Sequence, residues 1–240
     1  MPDDLRVAIV IPARNEAQSV GLVLDEIPRE LVSRVIVVDN GSTDGTSDVA
    51  RAHGAFVVSE PEPGYGAACL AGLAQVGADI DIVVILDADH SDYPGDLPLL
   101  LAPIQSGEAD FVIGSRVLGG AEPGALPWNQ RWGNQLACAL MRLLYGASFT
   151  DMGPFRAIRR DALAALGMRD RTFGWNVEMQ ARALTAGLSI MEVPVRYRRR
   201  VGRSKISGTV RGTIRAGVKI IGTILVYYPS YRRSRRSRRA

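Results

Sequence analysis

The sequence predicts an α/β fold with a mostly parallel central sheet flanked by helices. Two observations support it: short apolar, largely β-branched runs alternate with helical segments, and each run ends in a polar or glycine-rich loop. Because parallel strands are joined by right-handed crossovers, the loops that follow them share one edge of the sheet. Ligands of open α/β sheets bind at that edge.

The first half of the chain alternates between strands and helices. We expect strands at 7–11, 35–38, 55–58 and 82–86. We expect helices between them at about 20–27, 43–53 and 67–76, the second capped by Ser42 or Thr43.

The second half is predicted to complete the same layer. Helices are expected at 96–105, 128–145 and 174–186, and strands at 111–113 and 189–195. The Gly- and Pro-rich stretch 117–127 is predicted to be a mobile loop. Of Trp128, Trp132 and Trp175, at least two are expected in the core, with an acceptor groove as the alternative.

Acidic residues follow directly after the strand at 82–86. Asp87 and Asp89 are separated by the small Ala88, and Asp92 comes three residues later. Carboxylates at the ligand-binding edge suit Mg²⁺ or Mn²⁺ holding a diphosphate. The alternative is an acidic turn that caps a helix.

Charge is distributed unevenly along the 240 residues. Residues 196–240 contain 15 of the 29 Lys and Arg residues and no acid, although the formal net charge of the chain is only +4. Such a basic end predicts contact with an anionic surface, either membrane or nucleic acid, unless it only confers solubility. The two cysteines, Cys69 and Cys138, are far apart and indicate neither a disulfide framework nor a zinc site, which fits a reducing cytoplasm.

The last 35 residues predict an amphipathic helix and a basic tail. Arg211, Arg215 and Lys219 recur every four residues, while apolar residues from Val210 to Leu225 form another face. We expect residues 206–229 to lie on an anionic membrane and residues 230–240 to be disordered. The alternatives are a helix docked on the body and an oligomer interface. The apolar stretch 220–228 is too short to span a bilayer.

Six motifs in order resemble family 2 of the GT-A glycosyltransferases. They are IPARNE (11–16), VVDNGSTDGT (37–46), GYGAACLAG (64–72), LDADHSDYP (86–94), GSR (114–116) and RRVGRSK (199–205). Within that family the set looks most like the polyprenyl-phosphate hexosyltransferases, including dolichol-phosphate mannose synthase. The resemblance implies a GT-A domain over 1–205, a UDP- or GDP-hexose donor, Mg²⁺ or Mn²⁺, and a polyprenyl phosphate acceptor.

The resemblance also implies which residues bind the donor. They are Pro12, Arg14, Glu16, Val38, Asn40, Asp87, Ala88, Asp89, Arg116, Arg199 and Lys205. Asp87 and Asp89 are implied at the metal, and Arg116, Arg199 and Lys205 at the phosphates. A nucleoside diphosphate leaves readily only when its growing charge is neutralised, which the cation on Asp89 and these basic groups would do.

The acceptor decides whether a general base is needed. A lipid phosphate is already an anionic nucleophile near pH 7, whereas an alcohol must lose a proton to a carboxylate. Asp151 is the candidate for that base or for positioning the acceptor, with Glu178 second. The alternative for Asp151 is a turn-forming Asp bonded to its own backbone.

Three hypotheses follow. The first is a metal-dependent inverting hexosyltransferase that acts on polyprenyl phosphate, peripheral to the cytoplasmic face of the cell membrane, with no nucleic acid as partner. The second keeps the donor chemistry but uses a soluble or natural-product alcohol as acceptor. The third is a non-catalytic module that binds a nucleotide sugar or nucleic acid.

Overall fold

The computed structural model describes residues 5–202 and 210–238, with the side chains of 210–215 outside the description. Seven strands form one central sheet: β1 Val7–Ala13, β2 Arg34–Asp39, β3 Phe56–Ser59, β4 Ile82–Ile85, β5 Phe111–Ser115, β6 Arg156–Arg159 and β7 Ile190–Pro194. Their order across the sheet is β3-β2-β1-β4-β6-β5-β7. The predicted α/β class with a mostly parallel sheet is confirmed.

Helices cover both faces of the sheet, and a long helix forms the C-terminal part of the described chain. They are α1 Val20–Asp25, α2 Thr46–Ala52, α3 Tyr65–Leu73, α4 Leu97–Gln105, α5 Arg116–Gly119, α6 Trp128–Tyr145, α7 Arg160–Leu166, α8 Trp175–Ala186 and α9 Val210–Ser237. Short 3-10 turns occur at Arg29–Leu31 and Pro94–Asp96.

Strand β6 runs opposite to its neighbours. It pairs antiparallel with β4 and β5, whereas the other pairings among the described strands are parallel. The carboxyl ends of β1, β2, β4 and β5 therefore lie at the same sheet edge as the start of β6. Loops from five strands can meet there.

The side chains of β1 alternate between two apolar layers because its faces are both covered. Val7, Ile9 and Ile11 pack with residues of α1 and α4, and Ala8 and Val10 pack with residues of α3 and α8. Both layers are made of buried residues, so the sheet is a rigid platform for the loops at its edge.

A third apolar cluster holds α9 against α6 and α8. Tyr145, Met141 and Ile224 are buried in it, and the Tyr145 hydroxyl donates to the Ile224 carbonyl oxygen at 2.7 Å. In the described part of the chain, no helix combines the length and hydrophobicity that a membrane crossing requires. The inner face of α9 is packed against α6 and α8.

Three features differ from the sequence expectations. Helix α9 continues to Ser237, where disorder was expected from 230, because Ser234 and Arg238 donate to the Thr185 carbonyl oxygen at the end of α8. Part of the expected mobile loop at 117–127 is the short helix α5. The expectation for the tryptophans is wrong, since Trp175 is fully buried while Trp128 and Trp132 are 77% and 68% exposed.

Candidate active site

The loops after β1 and β2 are joined by hydrogen bonds. The Asn15 N–H donates to Ser42 Oγ at 2.9 Å, the Thr43 N–H donates to Asn15 Oδ1 at 2.8 Å, and the Glu16 N–H donates to Thr46 Oγ1 at 2.8 Å. Asn15 adopts a left-handed conformation with φ 52°. Because that conformation is uncommon for a residue other than glycine, the contacts to the residues that follow β2 hold the backbone of the first loop in a specific shape.

Arg200 joins the β1 loop to the loop after β4. Its Nη2 lies 2.5 Å from Asp89 Oδ2 and 3.9 Å from Glu16 Oε1, and both carboxylates are largely buried. The Val201 N–H donates to the Asp89 carbonyl oxygen at 2.9 Å, which keeps this segment against the β4 loop. Loops from β1, β2 and β4 therefore converge, as the motifs predict.

Two of the acids after β4, Asp87 and Asp92, are buried carboxyl groups with few partners among the described residues. Burial and the charge of Asp89 raise the pKa of Asp87 to about 7. Its buried Oδ1 atom has no hydrogen-bond partner among the described residues. Asp92 is buried and both of its carboxylate oxygens are unpartnered within the described part of the chain. Burial, Asp87 and Asp89 raise the pKa of Asp92 well above its ordinary value.

Arg116 and Asp151 form a buried pair beside these acids. Nε and Nη2 of Arg116 donate to Asp151 Oδ2 and Oδ1 at 2.8 and 2.7 Å, and the Arg116 N–H donates to Oδ2 at 2.9 Å. The Met152 N–H adds a fourth donor at 2.8 Å. The guanidinium also lies 5.0 Å from the centre of the Tyr197 ring.

Four hydrogen bonds match the roughly four lone-pair sites of a carboxylate. Asp151 is fully buried, so its bonds to Arg116 are shielded from water. Its geometry is that of a group that positions Arg116, and no lone pair is left over for an acceptor proton.

Asn40 follows β2, and its side-chain amide binds the backbone of a neighbouring loop. Its Nδ2 donates to the carbonyl oxygens of Glu60 and Glu62, and its Oδ1 accepts from the Gly64 N–H at 2.8 Å. A Cβ on Gly64 would lie 2.1 Å from the Arg171 carbonyl oxygen. Gly64 is therefore required by the close approach of the 171 backbone.

The structure places the remaining sequence-predicted residues as follows. Arg14 is exposed on the first loop, Pro12 is partly exposed, and Val38 and Ala88 are buried at the ends of β2 and β4. Arg199 points elsewhere, its Nε donating to the Pro123 carbonyl oxygen at 2.9 Å. Lys205 lies outside the described residues.

Glu178, the second candidate base, lies in another part of the molecule. It is fully buried and accepts from the Arg169 and Asp170 backbone, from Arg182 Nε at 2.7 Å and from the Tyr227 hydroxyl at 2.5 Å. These partners link α8 to α9. Its contacts are those of a structural anchor.

The family model described as Glycosyl transferase family 2 matches residues 8–167, which contain these loops up to the Asp151 turn. The chain belongs to this family. It is a glycosyltransferase, which favours the two enzymatic hypotheses over the non-catalytic module.

Two curated relatives are informative about this family 2 glycosyltransferase. The chain is 37% identical over 207 residues to the dolichyl-phosphate hexose transferase of Haloferax volcanii, covering 85% of this chain and 87% of the relative. It is 34% identical over 224 residues to the undecaprenyl-phosphate mannosyltransferase of Micrococcus luteus, covering 87% and 90%.

A solved structure shares the fold of the glycosyltransferase. Glucosyl-3-phosphoglycerate synthase from Mycobacterium tuberculosis, in complex with Mn²⁺, UDP and glucosyl-3-phosphoglycerate, superposes with a TM-score of 0.76 at 26% identity. The match covers 93% of this chain and 80% of the synthase.

The residues of the glycosyltransferase fit a divalent cation held together with a diphosphate. The unpartnered Asp87 Oδ1 and the repulsion between Asp87 and Asp89 favour a cation at this position. Within the described residues, no group of three His, Cys, Asp or Glu side chains could hold a metal ion alone. Phosphate oxygens and water would have to complete the coordination, as is common for Mg²⁺.

Proposed function

We propose that this glycosyltransferase moves a hexose from a UDP- or GDP-sugar to polyprenyl phosphate, with inversion, using Mg²⁺ or Mn²⁺. The acceptor phosphate oxygen would form a bond to the anomeric carbon as the bond from that carbon to the nucleoside diphosphate breaks. The nucleoside diphosphate leaves with the electron pair of the broken bond. No proton has to be removed from a phosphate that is already ionised.

The donor half of the proposal depends on the loops after β1, β2 and β4. Asp87 and Asp89 would hold the cation, which when bound neutralises charge on the leaving diphosphate. Arg200 bridges Asp89 and Glu16 at the same place and would supply a guanidinium to the diphosphate. The Mn²⁺ and UDP in the structure of glucosyl-3-phosphoglycerate synthase support this assignment.

The assignment of the acceptor rests on one observation: the carboxylate of Asp151 already accepts hydrogen bonds from the protein. An alcohol acceptor needs a free base, and the only sequence candidates were Asp151 and Glu178. Both carboxylates are buried and accept several hydrogen bonds from the protein. Arg116, held by Asp151, is instead suited to an anionic acceptor.

The names of the two relatives agree with a lipid phosphate acceptor, since one acts on undecaprenyl phosphate and the other on dolichyl phosphate. The cytoplasmic face of the membrane is the proposed location. Both cysteines are free, which fits a reducing compartment, and the basic end of α9 fits an anionic membrane surface.

The proposal is tested by mixing the protein with a radiolabelled nucleotide sugar, polyprenyl phosphate and Mn²⁺, and then extracting with organic solvent. UDP-glucose, UDP-galactose, UDP-GlcNAc and GDP-mannose are tried in turn. We expect one of them to give label in the lipid phase that disappears when EDTA is added. Label confined to the aqueous phase with every donor would contradict the proposal.

A further inference from the structure

We propose that the outer face of α6 is the surface by which this enzyme binds a lipid bilayer. The proposal rests on the proposed function, because it identifies the surface through which a membrane-embedded acceptor would be reached. The sequence predicts membrane contact for the C-terminal helix, but the inner face of that helix is packed against the protein.

A stripe of large apolar side chains runs along the outer face of α6. Trp128, Trp132, Leu136 and Leu143 are 77%, 68%, 49% and 77% exposed. Their spacing of four, four and seven residues puts them on one side of the helix, opposite the buried Met141. Exposed tryptophans in a row are costly in water but favourable at a membrane interface, where the ring lies at headgroup level.

The charge around this stripe is complementary to an anionic membrane. Arg131 and Arg142 are exposed and eleven residues apart, so they flank the stripe on the same side. Neither α6 nor α9 contains an acidic residue. A basic amphipathic surface without acids binds anionic headgroups while its apolar side chains enter the acyl boundary.

Helix α9 extends the same kind of surface. Val218, Leu225 and Val226 are exposed on its outer side, and Arg232, Arg233 and Arg236 are exposed in its last turns. The helix contacts the end of α6, where the rings of Tyr145 and Tyr228 pack edge to face with centroids 5.8 Å apart. The two helices therefore pack against each other at the C-terminal end of α6.

The inner side of α6 is bound to the turn that carries Asp151. Asn134 Nδ2 donates to the Thr150 carbonyl oxygen at 3.0 Å, and the Met152 N–H donates to Asn134 Oδ1 at 2.9 Å. A helix with its side chains is roughly 10–12 Å across. Docking through α6 would thus place the Asp151 turn, and Arg116 bound to it, about one helix diameter from the bilayer surface.

The test measures binding of the full-length protein to sedimentable vesicles of phosphatidylglycerol and phosphatidylcholine. We expect Trp128→Gln/Trp132→Gln to weaken vesicle binding at least tenfold, while Leu99→Gln, which changes a 46% exposed residue on α4, leaves it within twofold. In the wild type, brominated lipid should quench tryptophan fluorescence. Trp128→Phe/Trp132→Phe should lose that quenching and keep its vesicle binding, because Trp175 is buried.

Two outcomes would overturn the inference. One is equal vesicle binding by Trp128→Gln/Trp132→Gln and wild type. The other is a lower solution mass of that variant without lipid, combined with unchanged vesicle binding, which would make the stripe an interface between copies of the chain.

A second assay separates this inference from the proposed function. Transfer to a short isoprenyl phosphate that stays in solution should be within twofold of wild type in Trp128→Gln/Trp132→Gln, while transfer to long-chain acceptor in vesicles falls at least tenfold. If the wild type transfers to neither acceptor but still binds vesicles through the stripe, the proposed function fails and the docking surface stands.

Discussion

Arg200 is the side chain that connects the first and fourth strand loops. Residues 196–200 follow β7, and Tyr197 among them bridges to Asp92 and Ala121. Arg196 and Arg198 pair with Asp96 and Glu26 on one side, and Arg200 reaches Asp89. Arg199 faces the loop at Pro123 instead. A run of consecutive arginines gives no signal that separates these roles before the register of the segment is known.

Replacing Arg200 should affect donor use more than replacing Arg199. Losing a hydrogen bond to a charged group costs about 1.5–3 kcal/mol, so Arg200→Gln should lower kcat/KM for the donor roughly 10- to 150-fold. Arg199→Gln is the matched control and should stay within threefold. Steady-state kinetics with varied nucleotide sugar decide between them, and a larger loss for Arg199→Gln would refute the placement of Arg200.

Asp151 should act by positioning Arg116 and not as a base. Asp151→Asn keeps the size of the side chain but removes its charge, so Arg116 loses its anchor. We expect the KM for acceptor to rise at least tenfold, with donor affinity within threefold and the shape of the kcat–pH profile unchanged.

The kcat–pH profile of Asp151→Asn is the informative readout. A catalytic base is active only when deprotonated, so its loss would remove the acidic limb of the profile. Asp48→Asn, which changes an exposed acid of α2 that pairs with Arg51 of the same helix, is the control. A collapse of kcat with unchanged acceptor KM would mean that Asp151 takes a proton.

Among the helices and strands, apolar periodicity was sufficient to predict the bounds of a long element. Helix α6 has the predicted bounds of 128–145. Strand β6 and helix α7 were not predicted, because Arg156–Arg159 is a short strand with arginine at both ends and no apolar run. Arg156 is nevertheless fully buried, with Nη1 donating to the Asn176 carbonyl oxygen at 3.1 Å. Only the tertiary structure supplies such partners.

Helix caps were also decided by tertiary contacts. Ser42 and Thr43 were expected to cap α2, but Gly45 is the residue that precedes it. Ser42 Oγ and the Thr43 backbone are used to hold Asn15 of the first loop. The same residue types satisfy either role, so sequence alone does not choose between them.

The docking of α9 should depend on the Tyr227 hydroxyl, which bonds to Glu178 and Arg182. Tyr227→Phe removes these bonds and should lower the free energy of unfolding by about 1–2 kcal/mol, or Tm by roughly 2–6 °C. The hydroxyl of Tyr228 makes no hydrogen bond within the described residues, so Tyr228→Phe should change Tm by less than about 1 °C. Calorimetry of both variants measures the difference, and equal shifts would contradict the assignment.

The Asp170–Lys219 ion pair, at 2.7 Å, should make α9 docking sensitive to acid. Burial raises the pKa of Asp170, but hydrogen bonds from Lys219 and Thr172 outweigh it, so the folded pKa lies below the ordinary 3.8. The stabilisation is therefore complete above the unfolded pKa and is lost as pH falls through the folded pKa. The difference in unfolding free energy between wild type and Asp170→Asn should shrink as pH falls below about 4. A difference that stays constant down to pH 2 would contradict this.

Considered as a whole, the molecule brings the proposed donor loops and the proposed acceptor side together at one edge of the sheet. Loops after the parallel strands β1, β2 and β4 meet around Asp87, Asp89 and Arg200, and the turn before β6 brings Asp151 and Arg116 beside them. Motif order was enough to predict that the loops after β1, β2 and β4 converge. The state of Asp151 could not be predicted, because four donors from two residues, Arg116 and Met152, fill its lone pairs only in the folded chain.

The most direct test compares two acceptors that differ in one group. Polyprenyl phosphate and the corresponding polyprenol are presented in the same vesicles with Mn²⁺ and the preferred radiolabelled donor, and lipid-extractable product is counted. If Asp151 is not available as a base, the enzyme should glycosylate the phosphate at least a hundredfold faster than the alcohol. Comparable rates with both acceptors would contradict the account, since the protein would then be removing a proton from a hydroxyl group.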